Sequence, residues 1–383
     1  MKHVAISTIS KGFLLKNYGS FFQHYALRKI LKSLGLHPFR VRATNERNSK
    51  IQRAKDSIKD FLRPYYWAVK RLPERRFYVQ RMEKNKNQER LFLDDYQNLI
   101  GMIEEPMVFN ESTIGVKGGD QIFCAGEKRI WLHDIQEGNP VISYAASGDW
   151  CSISSSVEKQ QILRSELARF TAISVREECG VDLISKILDQ SKPIHHVVDP
   201  VFFLKEDDLV SIQSKNKVFN TPTLFCYFVN IRSFDELQLE KYIALSKCLG
   251  CELKILGIQG AEFYIPDEFS ISLKPSDFLR AVYDSKYFIT NSFHGSVFGL
   301  IYRKNFLSVT QNDLPGSNQN QRQMELMHRY GLENRWVSNT AGVQEMKVRI
   351  DSAVEWEGIK REIDRDCSNS LSWLKEAVES KMV

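Results

Sequence analysis

The side chains that could do chemistry gather in a few short polar stretches. "TNSFHGSVFGLIYRKNF" carries Ser292, His294, Gly295 and Lys304. Ser292 follows the β-rich run Tyr287 to Thr290 and is a good helix N-cap. His294 then falls in the first helical turn, where unpaired N–H groups and the helix dipole favour an anion. Gly295 would let a ligand approach the backbone, and Lys304, at the start of the next strand, would add positive charge. His294 is either a donor beside that anion or a packed core histidine. "ISVREECG" puts Arg176 at a strand end ahead of Glu177 and Glu178. It is either their salt-bridge partner or a fork for carboxylate or phosphate. "KGGDQIF" follows a strand with Asp120 and Gln121; Asp120 suits accepting a proton, binding a sugar hydroxyl or capping the next turn.

Other chemistries find no support. G-x-G-x-x-G and G-x-x-x-x-G-K-[ST] are absent, which excludes a nicotinamide site and a P-loop. There is no H-E-x-x-H, and the lone "CLGC" at Cys248 and Cys251 has no second pair, so no metal is expected. The seven cysteines are odd in number and scattered, as reduced thiols are. The opening "MKHVAISTIS" lacks the apolar core of a signal peptide and reads as a strand. No apolar run reaches the ~18 residues of a membrane span. These features predict a cytoplasmic protein.

The elements that must position these residues alternate strand and helix. "HVAISTI" reads as a strand, "SFFQHYALRKILKSLG" as a helix ending at Gly35, and "HPFRVR" as the next strand. "STIGVKGG", "NPVISYAAS", "TAISV" and "HHVVDPVFFL" continue a doubly wound pattern. It restarts with "TPTLFCYFVN" and "CELKILGI". A chain of 383 residues suits two domains. The expected division is an N-terminal Rossmann-like domain over 1–205, a C-terminal one over 206–345, and helices over 346–383 that pack back on the first. The polar turns at the strand ends should then crowd one cleft.

The net charge of +6 is uneven. Residues 40–90 hold sixteen Lys and Arg against six Asp and Glu, with Tyr65, Tyr66 and Trp67 among them, so the remainder is net acidic. The helical excursion over residues 45–95 is either solvated or lies on an anionic membrane surface. No nucleic-acid motif accompanies the charge, and nucleic acid is not an expected partner.

In this order, "NYGSFFQHYALRKILKSLG", "GGDQIF", "SYAAS", "ISVREECGVDLI", "VVDPVFF" and "TNSFHGSVFGLIYRKNFLSV" resemble the polysaccharide pyruvyl transferase family. The resemblance spans roughly residues 3 to 335. It implies a fold like the two-domain GT-B glycosyltransferases. It also implies a reaction: phosphoenolpyruvate gives its pyruvyl unit to two hydroxyls of one sugar, forming a cyclic ketal and phosphate in surface polysaccharide synthesis. No cofactor is implied beyond that donor. Arg176, Ser292, His294, Gly295 and Lys304 are the implied donor-site residues. His294 is the acid or phosphate ligand, with Arg176 and Asp120 as catalytic company. Asn17, Gln23, Asp120 and Gln121 are the expected acceptor side. Lipid-linked acceptors in the family favour the membrane reading of the basic segment, and place the protein at the inner face of the membrane. The rivals are a GT-B glycosyltransferase using a nucleotide sugar and a non-catalytic member of the family acting as a membrane-associated assembly or sugar-binding partner.

Overall fold

In a computed structural model of the chain, the described residues are 3–7, 17–40, 88, 90–100, 113–119, 122–123, 138–311 and 319–380. Asp120, Gln121 and the basic segment up to residue 87 lie outside them.

Two all-parallel sheets organise the described residues. The first holds β1 (His3–Ser7), β2 (His37–Arg40), β3 (Ile114–Gly118), β4 (Val141–Ala146), β5 (Phe170–Val175) and β6 (Ile194–His196), in the order β2-β1-β3-β4-β5-β6. The second holds β7 (Thr223–Val229), β8 (Glu252–Ile258), β9 (Tyr287–Thr290), β10 (Asn305–Val309) and β11 (Trp336–Val337), in the order β11-β10-β9-β7-β8. β7, "TLFCYFV", is buried at every position, as a parallel strand covered on both faces must be. Each sheet reverses its winding once, between β1 and β3 and between β7 and β9. Such switch points open crevices at the carboxyl ends of the strands.

The helices that bear on the site are α1 (Tyr18–Ser33), α2 (Glu178–Ile187), α3 (Pro275–Asp284), α4 (Phe293–Ile301), α5 (Gln319–Arg329), α6 (Val343–Asp351) and α7 (Trp356–Glu379). One apolar cluster joins the two halves: Tyr18, Phe21 and Phe22 of α1 pack with Phe278 of α3 and Phe298 of α4. The Tyr18 ring stacks on Phe278 at 4.4 Å between centroids, and its hydroxyl donates to the Leu273 carbonyl at 2.6 Å. Burying such rings is worth about 1.5–3 kcal/mol each, so this junction resembles a core more than a solvated cleft.

The strand in "HHVVDPVFFL" breaks at Asp199-Pro200, as the sequence predicts, and its paired part is only Ile194–His196. Pro200 cannot donate to a ladder, and Asp199 instead caps a 3-10 turn, Pro200–Phe203, its Oδ1 accepting the Val201 N–H at 3.0 Å. The return to the first sheet, expected from residue 346, is made by α7: Leu374, Ala377 and Val378 enter the first core, and Ser370 Oγ accepts the Val198 N–H at 3.0 Å. Met346 and Ile350 of α6 stay in the core of the second sheet. Among the described residues, no helix is long and apolar enough to cross a membrane.

Candidate active site

The end of β9 is tied down before α4 begins. Asn291 Oδ1 accepts the Val229 N–H at 2.8 Å, and its Nδ2 donates to the Val229 carbonyl at 2.9 Å, pinning β9 to the end of β7. Ser292 is the N-cap of α4; its Oγ accepts the Gly295 N–H at 3.4 Å. His294 therefore stands in the first turn, as its sequence context predicts, but it is buried, with 4% of its surface exposed. Gly295 serves packing in place of the expected close approach of a ligand. A Cβ there would overlap the Thr290 side chain, whose hydroxyl bonds the Tyr227 carbonyl at 2.8 Å.

Asp199 is the hub, and the motif reading did not assign it a role. Its Oδ2 accepts from Gln23 Nε2 at 2.7 Å and from Arg176 NH1 at 2.9 Å, and lies 3.4 Å from His294 Nε2. These partners come from α1, the end of β5 and α4, so both sheets meet at one carboxylate. Burial alone pushes the Asp199 carboxyl up; the charge of His294 beside it, the Arg176 guanidinium and the Val201 N–H outweigh it and hold it below the usual carboxylate range. The signal in the sequence was an acid before a proline at a strand end.

Arg176 takes the first of the two roles its position allowed, that of a salt-bridge partner. Its Nε donates to Glu177 Oε1 at 2.9 Å, its NH1 to Asp199, and its guanidinium carbon sits 4.0 Å above the Phe293 ring. Glu177 is itself buried and accepts from Ser147 Oγ at 2.7 Å and Trp150 Nε1 at 3.0 Å. Ser147 is aimed there by an irregularity in β4, where the register to β5 shifts and Ala145 takes φ +48°. The fork is thus closed on two carboxylates, and its charge is largely answered within the protein.

The other expected residues divide. Gln23 joins the hub. Asn17 caps α1, its Oδ1 accepting the Ser20 N–H at 2.9 Å. Lys304 lies elsewhere: it donates to the Tyr283 carbonyl at 3.0 Å and to that of Ser285, at the end of α3. β9 and β10 run parallel with Asn305 beside Tyr287, so Lys304 sits at the edge where β9 starts and His294 at the edge where it ends. The helix Phe293–Ile301 between them carries the chain back across the sheet.

A cavity of about 120 Å³ opens beside the hub, lined by Arg176, Asp199, Phe293, Arg322, Arg329 and Tyr330. Among the described residues, no group of three His, Cys, Asp or Glu side chains could hold a metal ion.

Two doubly wound parallel sheets, with polar strand ends converging from both, make this an α/β protein of GT-B-like architecture. The chain belongs to the polysaccharide pyruvyl transferase family, whose model matches residues 17–313. No curated protein matches it. Among solved structures it is similar to S. aureus MnaA with UDP (10% identity, 95% of this chain and 91% of that one, TM-score 0.49). It is also similar to a UDP-GlcNAc 2-epimerase from Neisseria meningitidis bound to UDP-GlcNAc (9% identity, 99% and 100% covered, TM-score 0.49). A further similar structure is the Streptomyces sp. SF2575 glycosyltransferase SsfS6 with thymidine diphosphate (10% identity, 98% and 99% covered, TM-score 0.44).

Proposed function

We propose that this transferase moves the pyruvyl unit of phosphoenolpyruvate onto two hydroxyls of one sugar, free or lipid-linked, to form a pyruvate ketal. The observation that carries the reading is the His294–Asp199 pair, 3.4 Å apart, at the strand ends of both sheets and within two stretches that resemble the family. The chemistry needs an acid. A proton goes to the methylene carbon of the donor, making it a methyl group, and one sugar hydroxyl oxygen bonds to the adjacent carbon. The bond from that carbon to the phosphate oxygen then breaks, and the second hydroxyl closes the ring. Of the two hydroxyl protons, one replaces that spent on the methyl group and one leaves with phosphate.

His294 supplies the proton in this scheme, and Asp199 orients the ring and forms an ion pair with it while the proton is there. Arg176 holds Asp199 ionised. The positive end of the α4 dipole would favour the donor's negative charge. Where the acceptor is lipid-linked, the basic, aromatic segment 45–90 would dock on an anionic membrane.

The test is phosphate release from phosphoenolpyruvate across a panel of free and lipid-linked sugars. We expect release with one acceptor class and a loss of roughly 100-fold or more in His294→Ala, with circular dichroism unchanged. Release of a nucleoside diphosphate from a nucleotide sugar instead, or turnover by His294→Ala at the wild-type rate, would overturn it.

A further inference from the structure

Helix α2 begins beside Arg176 but has no cap of its own. Glu177 stands at its N-cap position, yet makes no side-chain cap bond, because its carboxylate is turned inward to Arg176, Ser147 and Trp150. The missing acceptor comes from the second half of the chain. Glu325 of α5 accepts the Glu178 N–H on Oε2 at 3.0 Å, and Gln321 Nε2, one turn earlier, steadies its Oε1 at 3.1 Å.

Arg329 lies four residues on, on the same face of α5. Its NH1 lies 2.7 Å from His196 Nδ1 and 3.0 Å from Nε2, and Nε2 lies 2.9 Å from the Arg176 carbonyl, which only accepts. An arginine only donates, so Nδ1 accepts and Nε2–H donates to that carbonyl. Arg329 is fixed in turn by Asp366 of α7, at 2.8 Å from Nε.

We propose that α5 is a positioning clamp on the Arg176–Glu178 turn. Glu325 holds the N–H on one side of the turn, and Arg329, through His196, holds the carbonyl on the other. The place of the Arg176 guanidinium, and with it that of Asp199, then depends on α5 being seated across the junction. In this role Glu325 and Arg329, which also line the cavity beside the hub, act on the chemistry through the turn. The proposal rests on the reading of Arg176 as part of the transfer site.

The experiment compares Glu325→Ala and Glu325→Gln with the wild type by three readouts. Amide exchange at Glu178 reports the cap. The NMR signal of the Trp150 indole N–H, which bonds Glu177, reports the turn. Phosphate release from phosphoenolpyruvate reports the chemistry. In Glu325→Ala the amide should exchange faster, the indole signal should shift, and kcat should fall roughly 10-fold or more, since small misplacements of catalytic groups cost that much. KM should change less. Glu325→Gln keeps an oxygen acceptor at the same reach and should restore most of all three. Unchanged exchange and indole signal in Glu325→Ala would overturn the clamp, as would a changed turn with an unchanged kcat. Should the wild type release no phosphate, the transfer reading fails, and exchange and indole still decide whether Glu325 holds the turn.

Discussion

A Cβ on Gly19 would overlap Nδ1 and Cγ of His294, so the imidazole lies directly on the backbone of α1. In an ordinary helix, Gly→Ala gains roughly 1 kcal/mol of propensity. Here the added methyl meets a ring held by α4, and overpacking costs roughly 1–3 kcal/mol. We expect Gly19→Ala to lower stability in chemical denaturation and to depress phosphate release. His294→Ala removes the obstacle, so in that background Gly19→Ala should be neutral or stabilising. The double-mutant cycle should show coupling of about 1–3 kcal/mol; additive effects would mean the two residues do not touch. This contact could not be read from the sequence, because it links residues far apart along the chain. The same holds for the bond from Gln23 to Asp199, which spans 176 positions. The Ser292 cap was legible, since a cap, its strand and its helix are neighbours in sequence.

Elements were legible where their pattern is local. The strands ending near Gly118, Val175 and Thr290 follow from apolar runs bounded by polar turns. The break at Asp199-Pro200 was legible too, but not the partners that make Asp199 a hub, which lie far off in sequence. Lys304 cannot share a site with His294 because parallel strands joined by a helix start from one sheet edge, and His294 follows the opposite edge of β9. With β9 and β10 paired in parallel over four residues, the two edges stand about 10 Å apart. Lys304 stabilises α3 in the structure, where its ammonium meets the last carbonyls of that helix. Burial pulls its pKa below the usual lysine value. Lys304→Met should therefore lower unfolding free energy by about 1 kcal/mol and leave the KM for phosphoenolpyruvate unchanged. A large rise in that KM with stability intact would return Lys304 to the donor site.

At the scale of the whole molecule, α5, α7 and the strand ends of the first sheet meet around His196, and that meeting gives stability a pH dependence. His196 sits below the usual histidine pKa, first because burial disfavours its charged form and next because Arg329 faces it; the Arg176 carbonyl, Glu178 and Glu177 pull the other way. A depressed folded-state pKa means that the unfolded chain binds the proton more readily. The contribution of His196 is then complete above about pH 6.5 and is lost as pH falls from there through the folded value. His195, also depressed by burial, acts in the same direction. Glu166, pushed up to about 7 by burial, opposes both as pH falls. Asp199, held low, adds a loss only below about pH 4. The raw profile therefore mixes signs, and a difference curve separates them. Urea unfolding of the wild type and of His196→Gln between pH 5 and 8 should show a stability difference that is constant above about pH 7 and shifts against the wild type as pH drops below about 6.5. The glutamine can still donate to the Arg176 carbonyl but carries no titrating proton. A difference that stays constant across that range would mean that His196 does not titrate between the folded and unfolded states, and that the Arg329–His196 link holds no proton-sensitive share of the junction.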